Sequence, residues 1–295
     1  MESNNFRDII KSELSHQRPN LTASSLKTYV SILFNINKKL SPENTDLSFF
    51  DNHEKIIKLL SSKPAQARKT SLAALFVLTK NPEYSKVMLE DCKTTNDYYK
   101  EQKKSIKEED NWVSTDEIKK LHDELFFNAS AMLNSKLAMH YQTIVNYMLV
   151  ACLGGISGIA PRRSLDFTEL KIKNYSKTDN YYKAGKFYFN IYKTSQHYGE
   201  QVIDVKEKAP EFYKLLQKWV KINPTDYLLF SSNQKKFTSP QVTKTFNKLF
   251  GKKTSTNILR HEYLTHKYGK LQEEMAKDSE MMSHSPATQA LYIKK

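Results

Sequence analysis

The sequence predicts a mainly α-helical fold with a small antiparallel β-sheet, divided between two domains. Apolar residues recur at helical spacing through most of the chain, whereas the segments 184–193 and 200–205 alternate apolar and polar residues. The 295 residues suffice for two domains of ordinary size. A charged, apolar-poor stretch at 100–110 is the best linker candidate. We therefore expect domains at 1–108 and 109–295.

The first domain is predicted to be a bundle of helices. The apolar spacing within 21–40 indicates a helix that Thr22 or Ser24 would cap. Further helices are expected at about 53–61, 64–78 and 83–103. Its larger aromatic residues are expected to pack in the core rather than stack on bases: Tyr29, Phe34 and Phe76.

The second domain is predicted to open at Trp112, because Ser114 and Glu117 form a capping-box pattern at the start of a helix. The apolar segment 137–153 is expected to be a central buried helix, since it is too short and too polar to span a membrane. The two alternating segments flank the turn sequence SQHYG, which predicts a β-hairpin. Helical patterns return at 210–221, at 239–250 and over the last 40 residues.

The charge balance indicates a polyanionic partner. The formal net charge is +14, and nucleic acid is the first candidate for such an excess, with a membrane surface or a lysine-biased genome as alternatives.

Cys92 and Cys152 are too few and too far apart for a disulfide framework or a zinc site, so both are expected to be buried thiols in a reducing compartment. The N-terminal residues show no signal-peptide pattern, and no apolar run is long enough for a membrane span. We expect an intracellular protein, in the cytoplasm or nucleus, with no membrane partner.

Chemistry-bearing residues fall in short segments whose order along the chain is informative. The segment 154–170 carries Arg162, Arg163 and Asp166, and the predicted hairpin turn carries Lys193. The segment 255–269 carries Arg260, and the final segment, 281–295, carries His284 and Tyr292. Taken singly, each of these residue types is more often a surface or packing group than a catalytic one, and only their order along the chain indicates a catalytic site.

That ordered set resembles the tyrosine recombinases, the family of phage integrases and chromosome-dimer resolvases. Arg163 with Asp166 resembles the family's first arginine box, and Arg162 is the alternative if the register slips by one residue. Lys193 resembles the hairpin lysine, Arg260 the second arginine box, and His284 followed by Tyr292 the final box. The resemblance covers about residues 110–295 and extends more loosely to the first domain. It implies a helical core-binding domain and a catalytic domain that form a C-shaped clamp around DNA.

The chemistry implied by the resemblance is physically coherent. A tyrosine can attack a phosphodiester and hold it as a covalent 3′-phosphotyrosyl intermediate. The pentavalent phosphorus is strongly anionic, and the forks of Arg163 and Arg260 can stabilise its oxygens. Lys193 is the expected general acid for the leaving 5′-oxygen, and His284 would donate to the phosphate or position Tyr292. The resemblance implies no metal and no cofactor.

The sequence departs from the family pattern in three places. Asn257 stands where the family has a histidine, and an amide can hydrogen-bond a phosphate but cannot shuttle a proton at neutral pH. His284 and Tyr292 are eight residues apart, where the family commonly has one more. Tyr292 lies three residues from the last residue, so a further C-terminal helix is not expected, and protomer contacts are predicted to use other surfaces, including the helix that carries Tyr292.

The implied partner is double-stranded DNA. Three lysines on the helices of the first domain are expected to contact DNA phosphates: Lys27, Lys38 and Lys69. Such contacts give affinity rather than sequence specificity. Arg162 is expected to bind DNA in the same way if Arg163 is catalytic. A homotetramer on two DNA sites is the expected working unit, with a monomer or dimer when the protein is free. The implied task is integration or excision of a viral or mobile genome.

Two rival functions fit the same sequence features. A type IB topoisomerase-like relaxase would use the same tyrosine chemistry as a monomer and relax supercoils without pairing two sites. A catalytically dead DNA-binding relative is motivated by Asn257 alone, and it would bind DNA without forming a covalent adduct. An RNA-binding or membrane-surface protein would explain the charge but not the ordered motifs.

Overall fold

A computed structural model describes residues 2–133 and 137–293 of the chain. The chain forms two compact units, Met1–Lys103 and Lys104–Lys295. The division falls five residues before the predicted domain boundary, because residues 104–108 of the predicted linker belong to the second unit.

The first unit is built from helices alone within its described residues. Thr22 caps the second helix by accepting a hydrogen bond from the Ser25 N–H, and Asn81 caps the last helix in the same way through the Glu83 N–H. The helices predicted within 21–40 and at 53–61, 64–78 and 83–103 are confirmed with shifts of a few residues. The elements are α1 (Glu2–Gln17), α2 (Ala23–Leu40), a 3-10 turn (Leu47–Asp51), α3 (His53–Leu60), α4 (Ala65–Thr79) and α5 (Pro82–Lys100).

The core of the first unit is apolar and contains one buried ion pair. Tyr84 is fully buried, and its hydroxyl donates to the Phe50 carbonyl at 2.6 Å. The Arg68 guanidinium forms two hydrogen bonds with the Asp91 carboxylate, which is 2% exposed. The aromatic residues predicted to belong to the core lie partly buried against it, which confirms the packing interpretation: Tyr29, Phe34 and Phe76.

The second unit combines helices with a four-stranded sheet. The capping box of Ser114 and Glu117 forms as predicted and starts a helix that runs to Met132. The helices are α6 (Ile106–Asn111), α7 (Thr115–Met132), α8 (Ala138–Leu153), α9 (Ser164–Thr168), α10 (Ser195–Tyr198), α11 (Val205–Lys208), α12 (Pro210–Ile222), α13 (Ser239–Phe250), α14 (Thr256–Met281) and α15 (Pro286–Tyr292). The strands are β1 (Leu170–Lys171), β2 (Asn180–Lys183), β3 (Lys186–Phe189) and β4 (Gln201–Asp204).

The sheet confirms the predicted hairpin and extends it. β3 and β4 pair antiparallel with Phe187 opposite Ile203, and β2 pairs antiparallel with β3 on the other side. The short β1 pairs parallel with β2, so the sheet is mixed rather than purely antiparallel. The strands of the hairpin are shorter than predicted, because the connection between them folds into the single turn of α10.

The predicted central helix, α8, supplies much of the second core. Its residues from Ile144 to Leu153 are largely buried, and Cys152 among them is completely buried. Burial raises the pKa of the Cys152 thiol well above its ordinary value. Cys92 lies in the first unit and is only half-buried, so the prediction of a buried thiol holds for Cys152 and is wrong for Cys92. No described helix is long and apolar enough to cross a membrane.

A buried carboxylate fixes the start of α14. Glu262, 8% exposed, accepts hydrogen bonds from the Trp112 indole N–H at 2.7 Å, from the Thr115 N–H at 2.6 Å and from the Thr115 hydroxyl at 2.7 Å. Lys252, just before α14, donates to the Trp112 carbonyl at 2.9 Å. These contacts join the first residues of the second unit to the helix that carries Arg260.

Candidate functional site

Three arginines from two separate segments meet at one cavity of about 390 Å³ in the second unit. Arg162 and Arg163 precede α9, and Arg260 lies in the second turn of α14. The connection between β3 and β4 supplies another wall of the cavity through Tyr192, Thr194 and Tyr198, and Gln201 at the start of β4 adds to it. The remaining lining residues are Ala160, Pro161 and Asp166. We refer to it as the arginine cavity.

A glycine allows α14 to approach the loop that carries the two neighbouring arginines. Gly155 has a φ of +76°, which L side chains rarely adopt, and a Cβ there would lie 2.7 Å from the ring of Tyr263. The same Cβ would lie 3.2 Å from Pro161. Close packing of Tyr263 on this loop therefore sets the position of Arg260 relative to Arg162 and Arg163.

A buried asparagine joins the arginine loop to the hairpin connection. The Asn180 amide donates to the Asp166 carbonyl at 2.9 Å and to the Ile191 carbonyl at 2.8 Å. Its oxygen accepts from the N–H groups of Asn190 at 2.7 Å and Ile191 at 2.6 Å. Three of these hydrogen bonds are to Asn190 and Ile191, just before Tyr192, and the fourth is to Asp166 in α9. Asn180 therefore holds two walls of the cavity together. Sequence reasoning missed this residue, since its partners are 10 to 14 positions away.

The two neighbouring arginines have different surroundings. Arg162 donates to the Asp166 carboxylate at 2.8 Å, and its guanidinium stacks on the Phe189 ring at 4.2 Å and lies 5.2 Å from the Tyr192 ring. Within the part of the chain that the structure describes, neither Arg163 nor Arg260 forms an ion pair. Arg162 is thus held by protein groups, while Arg163 and Arg260 retain their hydrogen-bonding capacity.

The electrostatics of the arginine cavity favour an anion. Burial lowers the pKa of the Arg260 guanidinium, and repulsion by Arg163 lowers it further, with Asp166 acting in the opposite direction. Burial raises the pKa of the Asp166 carboxyl, against the attraction of the three arginines. One oxygen of Asp166 is buried with no hydrogen-bond partner among the described residues. The cavity contains more positive than negative groups, which a multivalent oxyanion would balance.

The remaining predicted catalytic residues lie around or away from this cavity. Lys193 is exposed in the hairpin connection, directly between the lining residues Tyr192 and Thr194. Asn257 is exposed in the first turn of α14 and does not contribute to the lining. His261, which follows Arg260, is exposed as well.

His284 and Tyr292 form a second cluster beyond the far end of α14, a helix of 26 residues and about 39 Å. Ser283 adopts the left-handed conformation, and the His284 N–H bonds back to the Ser279 carbonyl at 3.0 Å, which reverses the chain. The two predicted rings are stacked with centroids 5.6 Å apart. Neither residue contributes to the described lining of the arginine cavity.

The surroundings of this second cluster are open. Tyr292 is 65% exposed, and α15 is held to α14 by a 2.6 Å hydrogen bond between Ser279 and Gln289. The His284 Nε2 atom is buried and meets no hydrogen-bond partner among the described residues. The last two residues of the predicted segment 281–295 lie outside the described residues.

The lysines predicted to contact DNA all lie on helices of the first unit. Lys27 and Lys38 are exposed on α2, and Lys69 is half-buried on α4. Among the described residues, no cluster of His, Cys, Asp or Glu side chains is placed to hold a metal ion.

Known proteins show only a distant similarity to this chain. No family model matches this chain, and no curated protein matches it. Among solved structures it is similar to one described as a crystal structure of XerA recombinase, with 13% sequence identity and a TM-score of 0.36, over 99% of this chain and 94% of that one. A TM-score this low does not establish a shared fold.

Proposed function

We propose that this protein is a tyrosine-type site-specific DNA recombinase, which cleaves and rejoins DNA through a 3′-phosphotyrosyl link to Tyr292. The observation that carries the proposal is the convergence of Arg163 and Arg260 on the arginine cavity. These two groups come from segments almost 100 residues apart, and both are without an ion-pair partner among the described residues. A DNA phosphate supplies the anion that this arrangement favours.

The geometry supports Arg163 rather than Arg162 as the first phosphate-binding arginine. Arg162 already bonds Asp166 and stacks on Phe189, so its guanidinium shapes the cavity. We assign Lys193 as the general acid, since an exposed ammonium beside the cavity can reach a leaving 5′-oxygen. His284 would position Tyr292 through ring stacking, and Asn257 would donate to the phosphate.

The proposed reaction requires Tyr292 to approach a phosphate held by Arg163 and Arg260. Tyr292 lies outside the cavity lining, so either the end of α14 must move or a neighbouring protomer must supply the tyrosine. The homotetramer that we propose on two DNA sites provides such neighbours. Mixing Arg260→Ala with Tyr292→Phe protein distinguishes the two routes, because cleavage recovers only when one protomer supplies its tyrosine to another.

Covalent trapping tests the proposed function. The protein is incubated with nicked DNA fragments from the genome that encodes it, and adducts are resolved on a denaturing gel. We expect an adduct with the wild-type protein and none with Tyr292→Phe. The matched control is Tyr268→Phe, which alters another exposed tyrosine near the end of the chain and should leave the adduct unchanged. Tight DNA binding without an adduct across all fragments would instead support the catalytically dead relative.

Beyond the chemistry, we propose that the reaction integrates or excises a viral or mobile genome. The exposed lysines of α2 supply sequence-independent affinity, so their replacement should weaken binding to all DNA sequences alike and reduce its salt dependence. We also propose that both units contact DNA, which protection of a bound duplex from hydroxyl radicals would test.

A further inference from the structure

A second cavity in the same unit, of about 410 Å³, contains a serine, a histidine and an aspartate in hydrogen-bonded series. Ser157 Oγ lies 3.1 Å from His122 Nε2, and His122 Nδ1 lies 3.0 Å from Asp123 Oδ1. None of the three residues lines the arginine cavity or belongs to the strand-transfer machinery proposed above. We refer to this site as the serine cavity.

The hydrogen bonds determine the histidine tautomer. An ionised carboxylate only accepts hydrogen bonds, so the bond to Asp123 places a proton on His122 Nδ1. The neutral ring then leaves Nε2 as an acceptor for the Ser157 hydroxyl. This is the arrangement in which a histidine can remove the proton of a serine as that serine attacks an electrophile.

The histidine is held in place by its neighbours. Its side chain is 14% exposed and lies against the rings of Phe126 and Tyr147, with centroids 6.5 and 5.3 Å away. Phe212 also lines the cavity and extends this aromatic wall, with its ring centroid 6.2 Å from that of Tyr147. The wall offers an apolar surface to a bound substrate, next to the hydroxyl of Ser157.

A glycine fixes the serine loop against the start of α12. Gly158 has a φ of +85°, and a Cβ there would lie 2.1 Å from the Lys208 carbonyl oxygen. The helix α12 begins immediately beyond, and Ala209 at its N-cap provides no side-chain cap. The N–H groups of Glu211 and Phe212 in its first turn therefore have no intrahelical partner, and both residues line the cavity. Free N–H groups at the start of a helix can stabilise negative charge that develops on a substrate oxygen.

From this cluster we propose that Ser157 is an activated nucleophile that cleaves carboxylic esters with an apolar or aromatic acyl group. Ser157 Oγ bonds to the carbonyl carbon while its proton passes to His122 Nε2, and the alcohol leaves with that proton. Water then attacks the acyl-serine, its proton passes through His122 back to Ser157 Oγ, and the carboxylic acid is released. The net reaction consumes one ester and one water and yields one acid and one alcohol.

The experiment is active-site labelling of the full-length protein with a fluorophosphonate, whose phosphorus bonds to serine as fluoride leaves. We expect mass spectrometry to find the adduct on Ser157, with no adduct at that position in Ser157→Ala. His122→Gln should slow labelling by about 100-fold, the usual range for loss of a general base. Asp123 is 63% exposed and so orients the ring weakly, and Asp123→Asn should slow labelling by no more than about tenfold.

The control is Ser232→Ala, which removes an exposed loop serine outside the cavity and should leave the labelling rate unchanged. Hydrolysis of p-nitrophenyl butyrate should follow the same order among the variants. The proposal is overturned if Ser157 stays unlabelled while the protein is folded by circular dichroism. It is overturned equally if His122→Gln labels as fast as the wild type.

Discussion

Glu262 should stabilise the second unit through its bond to Trp112, and a double-mutant cycle measures that contribution. In Glu262→Gln, the amide oxygen can keep the two hydrogen bonds from Thr115, but the amide NH₂ then faces the Trp112 indole N–H. Two buried donors facing each other cost about 1–3 kcal/mol. In Trp112→Phe, the carboxylate loses one of its three donors, at a cost of about 1.5–3 kcal/mol for a hydrogen bond to a charged group.

The double variant keeps the amide NH₂ but removes the indole N–H that it would face, so its cost should fall below the sum of the single costs by about 1–2 kcal/mol. Urea unfolding followed by tryptophan fluorescence reports on the second unit, because both tryptophans of the chain lie there and Trp219 remains in every variant. Glu273→Gln, on an exposed part of the same helix, should change stability by less than about 0.5 kcal/mol. Strictly additive costs would refute the assigned hydrogen bond.

Three further predictions concern other parts of the molecule. Arg68→Ala leaves the Asp91 carboxylate buried and unpaired, so it should destabilise the first unit by about 3–5 kcal/mol. Amide hydrogen exchange in the first unit should become faster, and unchanged exchange would contradict the ion pair. Sulfate at ten times its dissociation constant should stabilise the second unit by about 1.4 kcal/mol at constant ionic strength, and Arg260→Gln or Arg163→Gln should abolish this gain in thermal unfolding. Gly158→Ala places a Cβ against a backbone carbonyl oxygen, so it should lower the melting temperature. In Gly251→Ala the added Cβ meets nothing within 4 Å, so the melting temperature should fall less, by the effect of backbone strain alone.

Sequence reasoning located the helices well because their signals are local. The capping box at Ser114 and Glu117 and the N-cap at Thr22 each involve residues three positions apart, and the structure forms both. Alternation located the hairpin for the same reason. The parallel strand β1 was missed, since a two-residue strand has too little periodicity to be read.

The candidate site was predictable in part. The ordered motifs pointed to Arg162, Arg163 and Arg260, and the structure brings these three side chains to one cavity. The supporting groups were not predictable, because Asn180 and Glu262 act through contacts between distant segments. Glu262, for example, bonds a residue 150 positions away. The serine cavity was missed on the same ground, since 35 positions separate His122 from Ser157.

The place of Tyr292 was the least accessible to sequence reasoning. The order of motifs led to the expectation of one catalytic cluster, whereas the length of α14 separates the pair of His284 and Tyr292 from the arginine cavity. A motif gives the identity of a residue but not the path of the helix that carries it. The roles of these residues therefore stay predictions that cleavage experiments address.

The central claim is tested most directly by identifying the residue that becomes joined to DNA. DNA cleaved by the wild-type protein would be digested with nuclease and the attached peptide sequenced by mass spectrometry. The proposal predicts a single peptide that carries a 3′-phosphotyrosyl nucleotide on Tyr292, and its loss in Arg163→Ala and Arg260→Ala but not in Arg162→Ala. A nucleotide on any other residue, or DNA strands cleaved without a covalent peptide, would contradict it.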